Sequence, residues 1–220
     1  MPLDLDSRQQ FADRHDAGRH LADRLGHYKD RSDVVVLALP RGGVPVASEV
    51  ARALAVPLDV FLVRKLGVPG HRELAMGAIA SGGVRVLNSD VINWYRIPQS
   101  AIEAVALEEL VELERRERAY RAGRPADLRG RVVILVDDGL ATGSTMKAAV
   151  QAVRAHAPTR IVVAVPVAAA DTCRELESVA DEVVCARTPE PFSAVGLWYD
   201  DFSQTTDAEV RDLLREHEVS

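Results

Sequence analysis

Two adjacent carboxylates, Asp137 and Asp138, follow the apolar run at residues 131–136. Like charges side by side repel each other, so we expect cationic or hydroxyl-bearing groups opposite them. The next residues, 139–145, are small or hydroxylated and lead into a helical pattern at 146–153. Free backbone N–H groups at a helix N-terminus, with hydroxyls beside them, suit a phosphate group. The stretch therefore predicts a phosphate-binding turn with two carboxylates at its entrance.

The position of the carboxylates indicates what the phosphate is attached to. A monophosphate held by residues 139–145 would place an attached sugar over the end of the strand. There Asp137 and Asp138 could accept hydrogen bonds from two vicinal ribose hydroxyls and stabilise positive charge that develops on the ring. The alternative is a simple turn in which one aspartate caps a helix and the second is incidental. The sequence has no GxxxxGK[ST] loop, no strand-linked GxGxxG and no GxSxG elbow.

A second candidate anion site is the tripeptide Arg41-Gly42-Gly43. It ends the apolar run 33–40 and precedes a helical pattern at 44–54. A guanidinium followed by two glycines at the end of a strand suits an anion, because glycine lets the backbone approach closely. An ordinary turn between a strand and a helix is the alternative.

A third stretch, residues 63–83, is basic and rich in glycine. It begins with Arg64 and Lys65 at the end of an apolar run, then continues through a glycine-flanked segment that contains His71 and Arg72. A surface loop with an incidental basic cluster is the alternative to a functional segment.

The elements that must position these residues alternate along the chain. Five short apolar runs rich in Val, Ile and Leu predict strands that are buried on both faces, as in a parallel sheet: 33–40, 58–64, 131–138, 160–167 and 181–186. Helical patterns lie between them at 44–54, 143–155 and 171–178. The chain is therefore predicted to be an α/β protein with a mainly parallel central sheet flanked by helices. In such sheets ligands bind beyond the carboxyl ends of the strands, near the point where the strand order reverses.

Three further helices are predicted. The first covers 7–25 with Ser7 as its cap, and a closing helix follows Thr206 as its cap. The third, at 99–120 within an insertion at 98–122, is rich in Glu and Arg and has one apolar stripe: Ile102, Ala106, Leu110 and Leu113. Its charged face is typical of a solvated surface with helical ion pairs. A dimer contact or a cap over the active site is the alternative.

Composition limits the class of protein. The 220 residues, 47% hydrophobic and 27% charged, predict a single domain over 1–220. A net charge of −6 argues against a broad surface for nucleic acid or anionic membranes. The polar N-terminus does not match a signal peptide and the run 161–170 is too short to span a bilayer, so we expect a cytoplasmic protein. Cys173 and Cys185 have neither disulfide-framework nor zinc spacing, and we expect two separate buried cysteines.

The motif VVILVDDGLATGST resembles the phosphoribosyl pyrophosphate (PRPP) signature of the type I phosphoribosyltransferases. The resemblance extends over most of the chain and implies their Rossmann-like fold. It implies that Asp137 and Asp138 bind the 2- and 3-hydroxyls of the ribose. It also implies that the turn binds the 5-phosphate through Ala141, Thr142, Gly143, Ser144 and Thr145.

Two other stretches match the family in the same order. LPRGGVPVASEVA resembles its pyrophosphate loop, with Arg41, Gly42 and Gly43 at the leaving group. Residues 63–83 resemble its mobile loop, which closes over PRPP and excludes water, with Arg64 and Lys65 in catalytic positions. The implied reaction is displacement of pyrophosphate from PRPP by a nitrogen nucleophile. Mg²⁺ would be held mainly by PRPP oxygens and waters near the two aspartates, so no dedicated metal cage is expected.

The acceptor is less well specified. Members that act on 6-oxopurines carry an aspartate where this chain has Ala141, and the turn is closer to the adenine type, although the 98–122 insertion departs from those enzymes. Glu73 is a candidate general base or a bare surface carboxylate. In the C-terminal region 187–220, the aromatic side chains form either a hood that stacks on a planar base or part of the core: Phe192, Trp198, Tyr199 and Phe202.

Alternatives from other classes stay open. A PRPP-binding regulator without turnover would share the same site, but the negative net charge and the lack of a helix-turn-helix segment do not favour it. A phosphatase or hydrolase with Asp137 as nucleophile would need a DxD-like spacing or a metal cluster, which the sequence does not show. The resemblance also implies a small-molecule acceptor as partner and a homodimer.

Overall fold

A parallel sheet of five strands forms the centre of the protein. The computed structural model describes residues 10–120 and 126–218. In chain order the strands are β1 (Val34–Ala38), β2 (Leu58–Val60), β3 (Val63–Val68), β4 (His71–Ala80), β5 (Val84–Leu87), β6 (Val132–Val136), β7 (Arg160–Val167) and β8 (Glu182–Arg187). The central sheet has the order β2-β1-β6-β7-β8, with every pair parallel. The predicted α/β class with a mainly parallel sheet is confirmed.

Helices cover both faces of this sheet. They are α1 (Arg14–Arg24), α2 (Gly43–Leu54), α3 (Ser89–Tyr95), α4 (Gln99–Tyr120), α5 (Ser144–Arg154), α6 (Ala170–Leu176) and α7 (Asp207–Glu218). Val34 and Val36 share one apolar cluster with side chains of α1, α2, α4 and α7, whereas Val35 and Leu37 pack with α5 and α6. Successive strand residues point to opposite faces, which is why the predicted strands are apolar without alternation.

The strand order reverses between β1 and β6. These neighbours pair in register, with Ala38 opposite Val136. The segments that leave them, residues 39–42 and 137–143, therefore start side by side at the carboxyl edge of the sheet. This is the switch point at which α/β proteins bind ligands, and it brings the two predicted anion-binding turns together.

The predicted strand at 58–64 is divided between two sheets. β2 ends at Val60, and Arg64 lies in β3, which pairs with β4 in an antiparallel sheet of order β3-β4-β5. The change of direction is fixed at Leu62, whose N–H donates to Ser81 Oγ at 2.9 Å while its carbonyl accepts from Ser81 N–H, also at 2.9 Å. The prediction of one continuous strand was therefore wrong.

The same hairpin replaces the loop predicted at residues 63–83. Leu66, Met76 and Ile79 are fully buried in the main apolar cluster, so their side chains hold β3 and β4 onto the body of the protein. The segment that resembles the family's mobile loop is therefore a β-hairpin in this structure. Closure over a ligand stays a prediction.

Helix α1 begins seven residues after Ser7, which lies outside the described residues. Its cap is Asp13, whose Oδ1 accepts from Asp16 N–H at 2.7 Å. Before the cap, Phe11 donates its N–H to the carbonyl of Trp198 at 2.8 Å, so the chain there is extended along the C-terminal region. The predicted helix start was wrong because this pairing competes with helix.

Helix α4 matches its prediction from Gln99 to Tyr120, and the predicted continuation to 122 lies outside the described residues. Ile102, Ala106 and Leu113 are buried, while the outer face carries ion pairs between Glu112 and two arginines. The closing helix is α7, and Thr206 Oγ1 accepts from Glu209 N–H at 3.1 Å, as its predicted cap requires.

Cys173 and Cys185 form a disulfide, so the prediction of two separate cysteines was wrong. Helix α6 packs against β8 and places their Cα atoms 6.8 Å apart, a proximity that their separation in sequence does not reveal. Within residues 10–120 and 126–218, no helix has the length and apolar composition needed to cross a bilayer.

Leu113 anchors α4, which makes the helix testable as a structural element. We expect Leu113→Ala to lower the free energy of unfolding by about 2–5 kcal/mol, because it leaves a cavity under the helix. Leu107→Ala is the control on the same helix, since Leu107 is 62% exposed, and it should change the value by less than about 0.5 kcal/mol. Urea unfolding measures both. Equal effects of the two variants would mean that α4 is not packed as described.

Candidate functional site

Asp137 and Asp138 lie directly beneath the Arg41 turn. Asp138 N–H donates to Asp137 Oδ1 at 2.9 Å, which turns the first carboxylate back onto the backbone of the second. A Cβ atom added to Gly42 would lie 2.0 Å from Asp138 Oδ2, and one added to Gly43 would lie 2.7 Å from the carbonyl oxygen of Val136. Both glycines are therefore required by close approach, because any side chain would collide with the strand end that carries the carboxylates.

Arg14 is the cation opposite the carboxylates, and sequence reasoning missed it. Its Nε donates to Asp138 Oδ2 at 2.8 Å, and its side chain is only 11% exposed. The partners are 124 residues apart in the chain. The repulsion within the aspartate pair predicts a nearby cation, but nothing in the pattern of α1 marks Arg14 over other basic residues. The signal that could have found it is the requirement for a counterion.

The aromatic residues of the predicted hood contact Asp138 and its partner Arg14. Tyr199 OH donates to the backbone carbonyl of Asp138 at 2.5 Å. The Arg14 guanidinium lies 4.0 Å from the centroid of the Phe202 ring and donates from Nη1 to the carbonyl of Ser203 at 2.7 Å. Arg14 thus joins α1, the aspartate pair and the hood, and cation–π attraction adds to the ion pair.

Three of the four aromatic residues predicted for the hood differ in their surroundings. Tyr199 is buried in an apolar cluster with Phe11, so core packing accounts for its ring. Phe202 is 36% exposed and offers ring surface. Trp198 is half-buried, and its indole N–H is a buried donor with no hydrogen-bond partner in the described structure.

Burial dominates the electrostatics of the aspartate pair. Desolvation raises the pKa of Asp137 well above the ordinary range for aspartate, and the charge of Asp138 raises it further. Desolvation also raises the pKa of Asp138, and the hydrogen bond and charge of Arg14 oppose this rise. Since Arg14 touches Asp138, we assign the ionised form first to Asp138.

The turn after the aspartates is held so that its hydroxyls face outward. Gly143 adopts a left-handed conformation with φ 66° and precedes α5. Thr172 Oγ1 donates to the carbonyl of Ala141 at 2.7 Å, which fixes the turn against α6. Thr142 and Ser144 share a hydrogen bond of 3.2 Å between their hydroxyls, and both residues are exposed. The first N–H groups of α5 lack helical partners and point the same way.

Thr145, in the first turn of α5, links this turn to the hairpin. It borders a cavity of about 540 Å³ together with Lys65, and a second of about 600 Å³ with Arg64 and Lys65. Arg64 is also paired with Glu109 of α4, where Nε and Oε2 are 2.6 Å apart. The structure therefore brings both predicted basic residues of the hairpin to the phosphate turn. The side chains of Arg72 and Glu73 lie outside the described part of the structure.

Arg41 completes the site on the other side. It is half-exposed, and its Nη1 lies 3.7 Å from Oδ1 of Asp207 at the start of α7. In the described residues, no three His, Cys, Asp or Glu side chains are grouped as metal ligands. Asp137 Oδ1 accepts from the Asp138 backbone and Asp138 Oδ2 from Arg14, and carboxylate oxygens of this kind are the ligands that Mg²⁺ prefers.

Comparison with known proteins identifies the family. The model of the phosphoribosyl transferase domain matches residues 7–200, so the chain belongs to this family. A protein of Mycobacterium tuberculosis H37Rv, whose name gives it provisionally as a phosphoribosyl transferase, is 53% identical over 205 residues. The match covers 93% of this chain and 46% of that protein, so the chain spans about half the length of this curated relative.

A solved structure is similar over nearly its whole length. The protein TT1426 from Thermus thermophilus is 45% identical, with a TM-score of 0.85, and the match covers 94% of this chain and 99% of that chain. The family and the fold implied by the motif at residues 132–145 are thereby confirmed. Helix α7 lies beyond the residues that the family model matches.

Arg14→Gln tests the counterion role, because it keeps a hydrogen-bond donor and removes the charge. We expect the pKa values of the carboxyl pair to rise further. When the pKa of a carboxyl group is higher in the folded state than in the unfolded chain, the unfolded chain loses its proton at lower pH. The stability contributed by such a group is therefore complete below the unfolded-state pKa and is lost as pH rises through the folded-state pKa. The variant should lose about 3 kcal/mol of unfolding free energy near pH 7 and much less near pH 4.

Urea unfolding at both pH values measures this loss, and carboxyl NMR titration follows the pKa values. Arg19→Gln is the control on α1, because Arg19 is 59% exposed and pairs with Asp16. An equal loss of stability by Arg14→Gln at both pH values would show that Arg14 acts through packing rather than through its charge.

Proposed function

We propose that this protein transfers the 5-phosphoribosyl group from PRPP to a nitrogen of a small heterocyclic acceptor and releases pyrophosphate. The observation that carries the proposal is the switch point, where the aspartate pair, the turn 139–145 and the Arg41 turn leave neighbouring strands. Family membership supports transfer of a phosphoribosyl group in general. The identity of the acceptor, and the activity of any longer protein that contains this chain, are proposals that family membership does not itself support.

In this proposal each part of the site binds one part of PRPP. The 5-phosphate lies against the free N–H groups and hydroxyls of Ala141 to Thr145. The ribose hydroxyls donate to Asp137 and Asp138, and the leaving pyrophosphate meets Arg41 and the Gly42–Gly43 backbone. The acceptor nitrogen forms a bond to the anomeric carbon as the bond to pyrophosphate breaks, and the electron pair departs with pyrophosphate. The acceptor nitrogen then releases its proton.

The aspartate pair favours the transition state for electrostatic reasons. As the bond to pyrophosphate weakens, the ribose ring becomes positively charged, and ionised carboxylates that are already in position stabilise that charge. Arg14 keeps Asp138 ionised in a site where burial disfavours the charge. Bound Mg²⁺ would neutralise charge on the pyrophosphate, held by PRPP oxygens and by free oxygens of the aspartate pair.

The hairpin supplies cations and a cover. Arg64 and Lys65 border the cavities next to Thr145, and we propose that they approach the phosphates of PRPP when the hairpin closes. The acceptor lies on the hood side, where Phe202 is 36% exposed and offers ring surface to a planar base.

The cellular location belongs to the proposal as well. We propose a cytoplasmic enzyme of small-molecule metabolism, which is consistent with the net charge of −6 and with PRPP as the substrate. The Cys173–Cys185 disulfide counts against this location, because such bonds persist mainly in oxidising compartments. The homodimer implied by the resemblance stays a prediction.

Pyrophosphate release from PRPP and Mg²⁺, screened against nucleobases and related heterocycles, tests the proposed reaction. We expect release with one acceptor, and we expect Asp137→Asn combined with Asp138→Asn to slow it by about 10²–10³-fold or more, since charge stabilisation is lost. Asp212→Asn, at a site where the side chain is 69% exposed, should leave release unchanged. PRPP binding without release from any acceptor would contradict the transferase and favour a PRPP-binding regulator.

Hydrogen exchange tests the hairpin as a cover. We expect PRPP with Mg²⁺ to slow amide exchange in β3, β4 and the turn between them, because closure withdraws their N–H groups from water. The buried strand β7 serves as the internal control and should not change. Unaltered exchange in residues 63–83 at saturating PRPP would show that the hairpin does not close.

A further inference from the structure

Helix α4 carries two arginines toward the Arg41 turn. Arg115 and Arg116 line a small cavity of about 130 Å³ together with Arg41, and Ala119, Tyr120 and Asp207 complete its wall. Three guanidinium groups from two separate elements thus converge on one space. The charged face of α4 is exposed and ion-paired, as predicted, with Arg115 61% and Arg116 40% exposed, and part of this face borders the cavity.

Carboxylates only partly balance these arginines. Glu112 accepts from Arg115 Nε at 2.7 Å and from Arg116 Nε at 2.8 Å, so it holds both side chains in place along the helix. Asp207 is the second carboxylate and accepts from Tyr120 OH at 2.7 Å. Three positive groups against two negative ones leave a surplus positive charge at the cavity, which suits an anion.

Asp207 is a replaceable partner for Arg41. Their closest atoms are 3.7 Å apart, which is longer than a hydrogen bond. An anion with several oxygens could make shorter, charge-assisted contacts with Arg41 and Arg116. In the present arrangement Asp207 acts as an internal counterion beside the cavity.

Two residues that line this cavity also border the proposed PRPP site. Arg116 and Tyr120 also line a smaller space of about 30 Å³ that reaches Pro40, Arg64 and Thr145. Arg116 therefore stands between the phosphate turn and the Arg41 turn.

We propose that Arg116, with Arg115 beside it, binds the pyrophosphate group of substrate and product, and that Asp207 competes with this anion. The identity of the anion as pyrophosphate rests on the proposed function. The inference that an anion binds here rests only on the three arginines. Arg116 is a binding residue that α4 adds to the Arg41 turn. The insertion thereby becomes part of the active site, and α7 controls access of the anion to it.

Calorimetric titration of inorganic pyrophosphate into the protein tests the proposal. We expect Arg116→Gln to raise the dissociation constant about tenfold or more, because one charge-assisted contact is lost. Arg115→Gln should raise it less. Asp207→Asn should lower it, since the amide can still accept from Tyr120 but no longer competes as an anion.

Arg118→Gln is the matched control on α4. Arg118 is 70% exposed and pairs with Glu114. We expect the Arg118→Gln variant to bind pyrophosphate with the same dissociation constant as the unmutated protein. Arg116→Lys keeps the charge without the planar fork and should bind with intermediate strength. This variant also covers the case in which Arg116→Gln does not fold, which thermal melting of each variant detects.

The outcomes separate this inference from the proposed function. Unchanged pyrophosphate binding in Arg116→Gln, or equal weakening in Arg118→Gln, would overturn the role of Arg116 while leaving phosphoribosyl transfer intact. Weaker binding in Arg116→Gln alone would support it even if no acceptor gives turnover. Turnover of PRPP by a protein that binds no pyrophosphate would also overturn it. Absence of binding of both PRPP and pyrophosphate would contradict the proposed function as well.

Discussion

The burial of two adjacent carboxylates at the end of β6 is the constraint on which the site depends. Desolvation raises the pKa values of both groups, and the charge of Asp138 raises the pKa of Asp137 further, so the fold must offset the cost of burying these charges. The backbone N–H of Asp138 and the Arg14 guanidinium donate hydrogen bonds to the carboxylates. Gly42, which has no side chain, leaves space for Asp138. Because Arg14 also contacts Phe202 and Ser203, one ion pair fixes α1, the Arg41 turn and the hood relative to each other.

Parallel pairing of β1 with β6 converts this local constraint into a binding site. Each strand ends in a turn that opens a helix, and in-register pairing sets the two turns side by side. The helices that follow, α2 and α5, contribute N–H groups, and the hairpin and α4 contribute cations. Anion binding at such an edge follows from backbone geometry before any side chain is considered.

The sequence allowed prediction of those parts that depend on local pattern. The fold class, the two turns, α4 and the Thr206 cap each follow from a strand, a turn signal or a helical stripe within a short window. Arg14 could not be predicted, because its partner lies 124 residues away and the repulsion of the aspartates specifies a charge but not its origin. The resemblance implied a mobile loop at residues 63–83, and its basic and glycine residues did not indicate the hairpin that the buried Leu66, Met76 and Ile79 hold in place. For α4, the apolar periodicity predicted the buried face of the helix. It could not predict that Arg115 and Arg116 lie beside Arg41.

A crystal structure of the protein with PRPP and Mg²⁺ is the measurement that tests the central claim most directly. The account predicts the ribose 2- and 3-hydroxyls within hydrogen-bond distance of Asp137 and Asp138, with the 5-phosphate against residues 141–145. It also predicts the pyrophosphate at Arg41. PRPP bound with its ribose away from the aspartate pair, or failure of PRPP to bind at saturating concentration, would contradict the account.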